Sequence, residues 1–322
     1  MSGERDRQGP DQARGRGSFP LRTVLLAGGT GGAKLAAAMQ PLLPPGHLTV
    51  IANTADDDEF WGHLVSPDVD AVIYRLAGMF NESAGYGVEG DSFHVLDAMA
   101  RLGEPAWFRI GDKDFATHVL RSEMLGRGCT LTECALALSA RFGLVTRVLP
   151  MTNERVRTRF LTEKGDLSFQ EYFVRERLGP TLRGIELVGI DQARPTREVV
   201  SALDESELVI IGPSNPLISI APILTVIGAH MPRERTVAIT PIVRGASLKG
   251  PTVEMMRTLG LQPTPVEVAR MYHEVAASFV LDSRDQELAS DLDELGFRTL
   301  VFDTVMADGG AVLAARILEA FI

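Results

Sequence analysis

Three stretches carry residue types at spacings that could do chemistry. The first is Gly28-Gly29-Thr30-Gly31-Gly32, placed where an apolar run ends and a helix-like pattern begins. Glycines let backbone N–H groups approach a ligand without a Cβ in the way. A helix N-terminus adds partial positive charge, so the turn suits a phosphate or another anion. The spacing is neither GxxxxGK[ST] nor a good GxGxxG. Lys34 follows two residues later and could reach the same ligand or face solvent.

The second stretch is the acid run Asn53-Thr54-Ala55-Asp56-Asp57-Asp58-Glu59. Adjacent carboxylates repel one another unless a cation or a hydrogen-bonding ligand compensates. Mg²⁺ suits such a place, because it takes one or two carboxylates together with water and phosphate oxygens. Ser66-Pro67-Asp68-Val69-Asp70 could add a carboxylate. The plainer reading is an acidic loop that caps the next helix.

The third group is scattered over element ends. His118 and Arg121 are three apart at the start of an expected helix, so they share a face and could clamp a phosphate. Ser214, Asn215 and Pro216 follow an apolar run, as do Pro241 to Lys249 and the polar Thr152–Thr158. The six histidines show no HExxH spacing, and no GxSxG elbow is present. Cys129 and Cys134 form no disulfide framework and read as core residues. The pattern therefore favours phosphate chemistry by positioning over covalent hydrolysis.

The elements that must hold these groups read as an α/β fold. Thr23–Ala27 and Leu48–Ala52 are short unbroken apolar runs, as expected of strands covered on both faces, with a helix from Ala33 to Leu43 between them. Such a βαβ unit winds right-handed into a parallel sheet, where strand carboxyl ends line the ligand crevice. The expected helices from residue 70 to 142 are Asp70–Gly78, Phe93–Leu102, Phe115–Leu125 and Leu131–Phe142, with one strand at Trp107–Ile110. Val156–Leu161 and Leu167–Val174 read as a hairpin. Further strands are expected at Leu208–Ile211, Thr236–Ile239, Ser278–Leu281 and Thr299–Phe302, before a closing helix near Gly310–Phe321. The expectation is a Rossmann-like, mainly parallel sheet flanked by helices, spanning 21–322 as one catalytic domain. A helix-rich insertion occupies about 65–145, and a disordered tail 1–20.

Net charge is 32 − 42 = −10, which disfavours general nucleic-acid binding. No apolar run reaches the ~18 residues of a membrane span. The charged, Gly-rich start is no secretory signal, so a cytoplasmic location is expected.

Six segments resemble a known family in order and spacing. They are AGGTGGAKL (Ala27–Leu35), NTADDDEFWG (Asn53–Gly62), SPDVDAVIY (Ser66–Tyr74), GDKDFATHVLRSEML (Gly111–Leu125), PSNPLISIAPIL (Pro213–Leu224) and TPIVRGASLKGP (Thr240–Pro251). Together they are similar to the 2-phospho-L-lactate transferases of coenzyme F-420 biosynthesis. The resemblance implies a Mg²⁺-dependent homodimer that moves a 2-phospholactyl or phosphoenolpyruvyl group from a guanosine-diphospho donor. The acceptor is the terminal ribityl hydroxyl of the deazaflavin FO. GMP is released, and F-420-0 or its dehydro form is made. It implies catalytic roles for Asp57 and Asp56, with Asp57 on the hydroxyl and Asp56 mainly on the metal, or the reverse. Metal ligands would be Asp56, Asp57 and Asp70. Gly28, Gly29, Thr30, Gly31, Gly32, Lys34, His118 and Arg121 would hold the donor. Asn53, Thr54, Asp91, Ser214, Asn215, Pro216 and Lys249 would contact FO or the guanine. The alternative is a non-catalytic, nucleotide-sugar-binding regulator of the sister group. Those proteins continue their acid loop with Gly and Ser, whereas Glu59-Phe60-Trp61 stands here.

Overall fold

The computed structural model describes residues 19–248 and 250–322. Seven strands build one sheet. They are β1 (Thr23–Ala27), β2 (Leu48–Ala52), β3 (Arg147–Pro150), β4 (Leu208–Ile211), β5 (Thr236–Ile239), β6 (Ser278–Asp282) and β7 (Arg298–Phe302). The spatial order is β7-β6-β5-β4-β1-β2-β3, and every neighbouring pair is parallel. Chain direction across the sheet reverses between β1 and β4. In open parallel sheets such a reversal leaves a crevice at the strands' carboxyl ends, because the following loops diverge to opposite faces.

The unbroken apolar strands follow from cover on both faces. Leu25 and Ala27 pack with Leu35, Ala36 and Met39 of helix α1 (Gly29–Met39), Val72 and Ile73 of α2 (Pro67–Leu76), and Leu313 and Ile317 of the closing helix Ala311–Ala320. Val24 and Leu26 point the other way, into a core with Val199, Leu203, Ile223 and Val268 from three further helices. Each such side chain contributes ~1.5–3 kcal/mol on burial, so a polar residue on either face of β1 would be costly.

Four differences from the sequence expectation have local causes. Phe19, placed in the tail, is 4% exposed and joins the core, and its amide donates to Leu42 O; one aromatic ring at the tail's end was enough to dock it. Residues 1–18 of that tail lie outside the described residues. Helix α1 starts at Gly29, not Ala33, so the glycines are its first turn. Trp107–Ile110 forms no strand, because its rings are used in stacking: Phe108 lies 4.2 Å from Phe60. Leu167–Val174 is a strand only in part. Gly165–Ser168 pairs with Arg157–Thr162, and Glu171–Arg175 turns helical so that Tyr172 stacks on Phe160 at 4.6 Å. A third antiparallel strand, Leu182–Val188, and the edge strand β3 were not foreseen.

Of the helices between 65 and 145, α2 lies against the sheet itself. The others are α3 (His94–Arg101), α4 (Asp112–Gly126) and α5 (Leu131–Arg141), the last opened by a Thr130/Glu133 capping box. Among the described residues no helix is long and apolar enough to cross a membrane.

Candidate active site

The carboxyl end of β2 feeds directly into Asn53, which is fully buried. Its Nδ2 donates to Asp56 Oδ2 and to Asp68 Oδ2, both at 3.0 Å, and its Oδ1 accepts from the Ala55 amide at 3.0 Å. One amide thus draws two carboxylates together. Asp56 also accepts from Thr158 Oγ1 at 2.9 Å, and Asp57 accepts from Ser66 Oγ at 2.7 Å. Asp56, Asp57 and Asp68 are 3, 4 and 8% exposed.

Three acids in one dry place disfavour their own ionisation. Burial pushes Asp57 up to about 8, against the Ser66 hydroxyl and the charges of Arg157 and Arg121. Burial likewise raises Asp68 to about 6, although Asn53 and the Gly29 amide favour its charged form. Asp56 stands well above the ordinary carboxylate range, first through burial and then through the charges of Asp68 and Asp57. Thr54 Oγ1, in the same loop, is buried without a hydrogen-bond partner among the described residues. Hard oxygen donors with excess negative charge and a spare hydroxyl fit a divalent cation such as Mg²⁺.

Asp70 lies elsewhere. Asp68 and Asp70 are two apart on α2, so they face different ways. Asp68 turns to Asn53, while Asp70 pairs with Arg121, which is 0% exposed. Arg121 Nη1 also donates to Leu64 O at 3.2 Å. His118, one helical turn back on α4, has Nδ1 3.6 Å from Asp70 Oδ2. Its Nε2 lies 3.3 Å from Asp114 Oδ1, without the alignment a hydrogen bond requires. Tyr74 OH donates to the same Asp114 oxygen at 2.9 Å. Burial raises Asp114, but His118, Tyr74 and Arg121 outweigh it and hold the carboxyl below its ordinary value. Asp70, Asp114 and His118 lie close enough together to share a metal ion, yet Arg121 already neutralises Asp70. His118 and Arg121 do share a helix face, as their spacing predicts. Their partners are protein groups.

The glycine turn is shaped by protein as much as by any ligand. A Cβ on Gly28 would lie 2.2 Å from Ser219 Cβ, and one on Gly31 would lie 2.6 Å from Pro213 O. On Gly32 it would meet Ala27 Cβ at 2.7 Å. Gly29 has φ +65°, a conformation that side chains strain. The β1 and β4 loops therefore interlock at the crevice. Ser214 Oγ, 3.2 Å away, accepts from the Gly28 amide, and Asn215 Oδ1 accepts from Leu217 N at 2.9 Å with Pro216 starting the next turn. Thr30 lies in the first turn of α1. Lys34, half-buried, donates to Met306 O at 2.5 Å.

Asp91 is engaged at the start of a helix. It accepts from the amides of Lys113 and Asp114 and so caps α4. Asp112 returns the favour by accepting from His94 and Val95 amides at the start of α3. Lys249 lies outside the described residues.

Against Asp70, Asp114 and His118 opens a cavity of about 420 Å³, walled by Tyr74, Tyr86, Trp107, Phe108 and Phe169; Asp56, Asp57 and Asp68 lie behind its wall. Gln170 lines it and points Nε2 at Asp56 O from 3.5 Å, and Val65 and Pro67 flank the Ser66 that holds Asp57. The sequence reading missed Asp68 as the partner of Asp56, although it lay in the quoted stretch. It also missed this aromatic wall, whose signal was the Trp107-Phe108 pair taken for a strand.

With this geometry in hand, comparisons with known proteins are specific. A family model described as 2-phospho-L-lactate transferase CofD matches residues 23–314. The 2-phospho-L-lactate transferase of Methanosarcina acetivorans is 35% identical over 285 residues, which is 88% of this chain and 93% of that protein. The phosphoenolpyruvate transferase of Streptomyces griseus is 36% identical over 314 residues, 93% and 98% of the two chains. A crystal structure of a UPF0052-family protein from Bacillus halodurans superposes with a TM-score of 0.61 at 15% identity, covering 94% of this chain and 99% of its own; that likeness concerns the fold.

Proposed function

The chain belongs to the 2-phospho-L-lactate transferase family, and on that premise we propose that it transfers a 2-phospholactyl or phosphoenolpyruvyl group to FO. The donor is a guanosine-diphospho derivative of the acid, and GMP leaves. The terminal ribityl oxygen of FO forms a bond to the phosphorus that carries the acid. The bond from that phosphorus to the bridging oxygen breaks, and its electrons leave with GMP. The protein acts as a cytoplasmic homodimer.

The observation that carries this reading is the set of three buried carboxylates, raised by burial and joined through Gln170 and Ser66 to the wall of an aromatic cavity. Asp56 and Asp68, joined by Asn53, would hold Mg²⁺, with Asp68 in the role that the resemblance implied for Asp70. When bound, Mg²⁺ neutralises charge on the diphosphate. The cavity's rings accept the flat deazaflavin, so the ribityl chain runs toward Asp57. Ser66 fixes Asp57, which orients the hydroxyl and takes its proton as the new bond forms. A carboxyl held at about 8 is a serviceable weak base near neutral pH.

The test is incubation of the protein with FO, Mg²⁺ and each guanylylated donor in turn, with mass analysis. GMP and an FO phosphodiester are expected from one donor or both, and the better donor identifies the acid. Binding without product from either would convert the reading to a non-catalytic nucleotide-binding protein.

A further inference from the structure

The cations that the sequence offered for the donor are engaged by the protein itself. Lys34 is on Met306 O. Arg121 is on Asp70 and Leu64 O with no exposed surface. His118 lies between Asp70 and Asp114. A donor with a diphosphate and an acid still needs a positive group.

Arg157 meets that need. It lies on the strand Arg157–Thr162, next to Thr158, whose hydroxyl holds Asp56. Its charge acts on Asp57, and on Asp58 and Glu59 beyond it. Nη1 donates to Val156 O at 2.9 Å, which fixes the plane of the guanidinium. Nε is buried and has no hydrogen-bond partner among the described residues. An arginine donor buried beside a reaction centre without an acceptor is costly unless a ligand supplies one.

We propose that Arg157 is a specificity-determining residue that binds the carboxylate of the donor's three-carbon acid. The inference rests on the transferase reading above. Nε and Nη2 form one edge of the guanidinium, and two parallel N–H groups match a carboxylate bidentately. The phosphates would instead face a metal held by Asp56 and Asp68. The remaining anion of the donor is its carboxylate, and the neighbouring strand places Arg157 within electrostatic reach of Asp57, where the acid-bearing phosphorus must lie.

The experiment compares the full-length wild type with Arg157→Gln and Arg157→Lys at saturating Mg²⁺. Two ligands are titrated, the guanylylated phospho-acid and plain GDP, which lacks the acid. Arg157→Gln should weaken the donor by about 10- to 100-fold, the size of one or two charge-assisted contacts, and change GDP by less than about 2-fold. The KM for the donor should rise by a similar factor, with KM for FO unchanged. Arg157→Lys keeps charge without the fork and should recover only part of the loss. Equal weakening of donor and GDP would overturn the proposal, since it would place the effect on the metal or the phosphates. An unchanged donor affinity would overturn it as well. FO binding and circular dichroism show that each variant is folded; if Arg157→Gln is not, Arg157→Lys is read alone, and full donor affinity there would overturn the bidentate contact. A wild type that binds GDP but not the phospho-acid donor would instead overturn the transferase reading itself.

Discussion

Two clusters of buried carboxylates lie side by side in this molecule and are solved in opposite ways. Around Asp70 and Asp114 the protein supplies its own counter-charges, Arg121 and His118, and a Tyr74 hydroxyl. Around Asp56, Asp57 and Asp68 it supplies amides and hydroxyls, with no ion pair and only the fields of Arg157 and Arg121 on Asp57 as counter-charge. The first cluster ties α4 to α2 through the Arg121–Asp70 pair and forms part of the cavity wall. On the proposed reading, a metal completes the second. Burial alone therefore does not identify a site; the charge balance of the buried set does.

The comparison breaks most sharply at Arg121. Removing one partner of a buried ion pair leaves the other charge stranded, at a cost of ~3–5 kcal/mol. Arg121→Leu should lower the unfolding free energy by about that much in a urea titration. A loss below ~1 kcal/mol would mean that the two clusters are not different in kind.

On the other side, Asp56→Asn and Asp57→Asn should each lower turnover at least ~100-fold, as expected for a positioned charge near a transferring phosphoryl group. Stability without metal should hold or rise, because Asn resembles the protonated acid that burial already favours. Near-normal turnover in both folded variants would remove these acids from the chemistry.

The pH dependence sharpens the contrast further. Asp57 and Asp68 keep protons, up to about pH 8 and about pH 6, that the unfolded chain has already released. Their contribution to stability is full below the ordinary carboxylate pKa and is lost as pH rises through those values. The metal-free protein should therefore melt at a lower temperature at pH 8 than at pH 6. Mg²⁺ held by Asp56 and Asp68, as proposed, would displace their protons, so its stabilising effect should be larger at pH 8, with affinity changing up to ~10-fold per pH unit for each proton displaced. A thermal shift by Mg²⁺ that is constant from pH 6 to 8 would contradict this.

The smallest effect belongs to a residue outside both clusters. Asp91→Ala removes the cap on α4 and should cost ~1 kcal/mol, with turnover within 2-fold of wild type. A large loss of turnover at full stability would return Asp91 to the site.

Much of this was legible before the structure. Thr23–Ala27, Leu48–Ala52 and Leu208–Ile211 read as strands because sheet strands covered on both faces are unbroken apolar runs. Asn53, Asp56 and Asp57 stood out because they follow such a run. Asp68 and Asp70 could not be told apart, since their difference is an angle around α2 that only Asn53 and Arg121 reveal. Edge strand β3 was missed because Arg147 and Pro150 interrupt a two-residue apolar core. His118 and Arg121 were placed on a shared face, but their protein partners Asp70 and Asp114 were not legible, because spacing says nothing of what lies opposite.

Only two tryptophans occur in the chain, one in the cavity wall and one outside it. Trp107 lines the cavity and meets Phe60 edge-on at 5.4 Å. Trp61 sits at the tip of a short hairpin in which Asp58–Phe60 pairs with His63–Val65, with Nε1 donating to Pro105 O at 3.2 Å and its ring against Phe115. The ultraviolet emission of the unlabelled protein is therefore a local signal. Quenching by an aromatic acceptor reports on Trp107, and a residual response in Trp107→Phe reports on the hairpin alone. Occupancy of the cavity and movement beside Asp57 can be followed separately, in real time, without a dye.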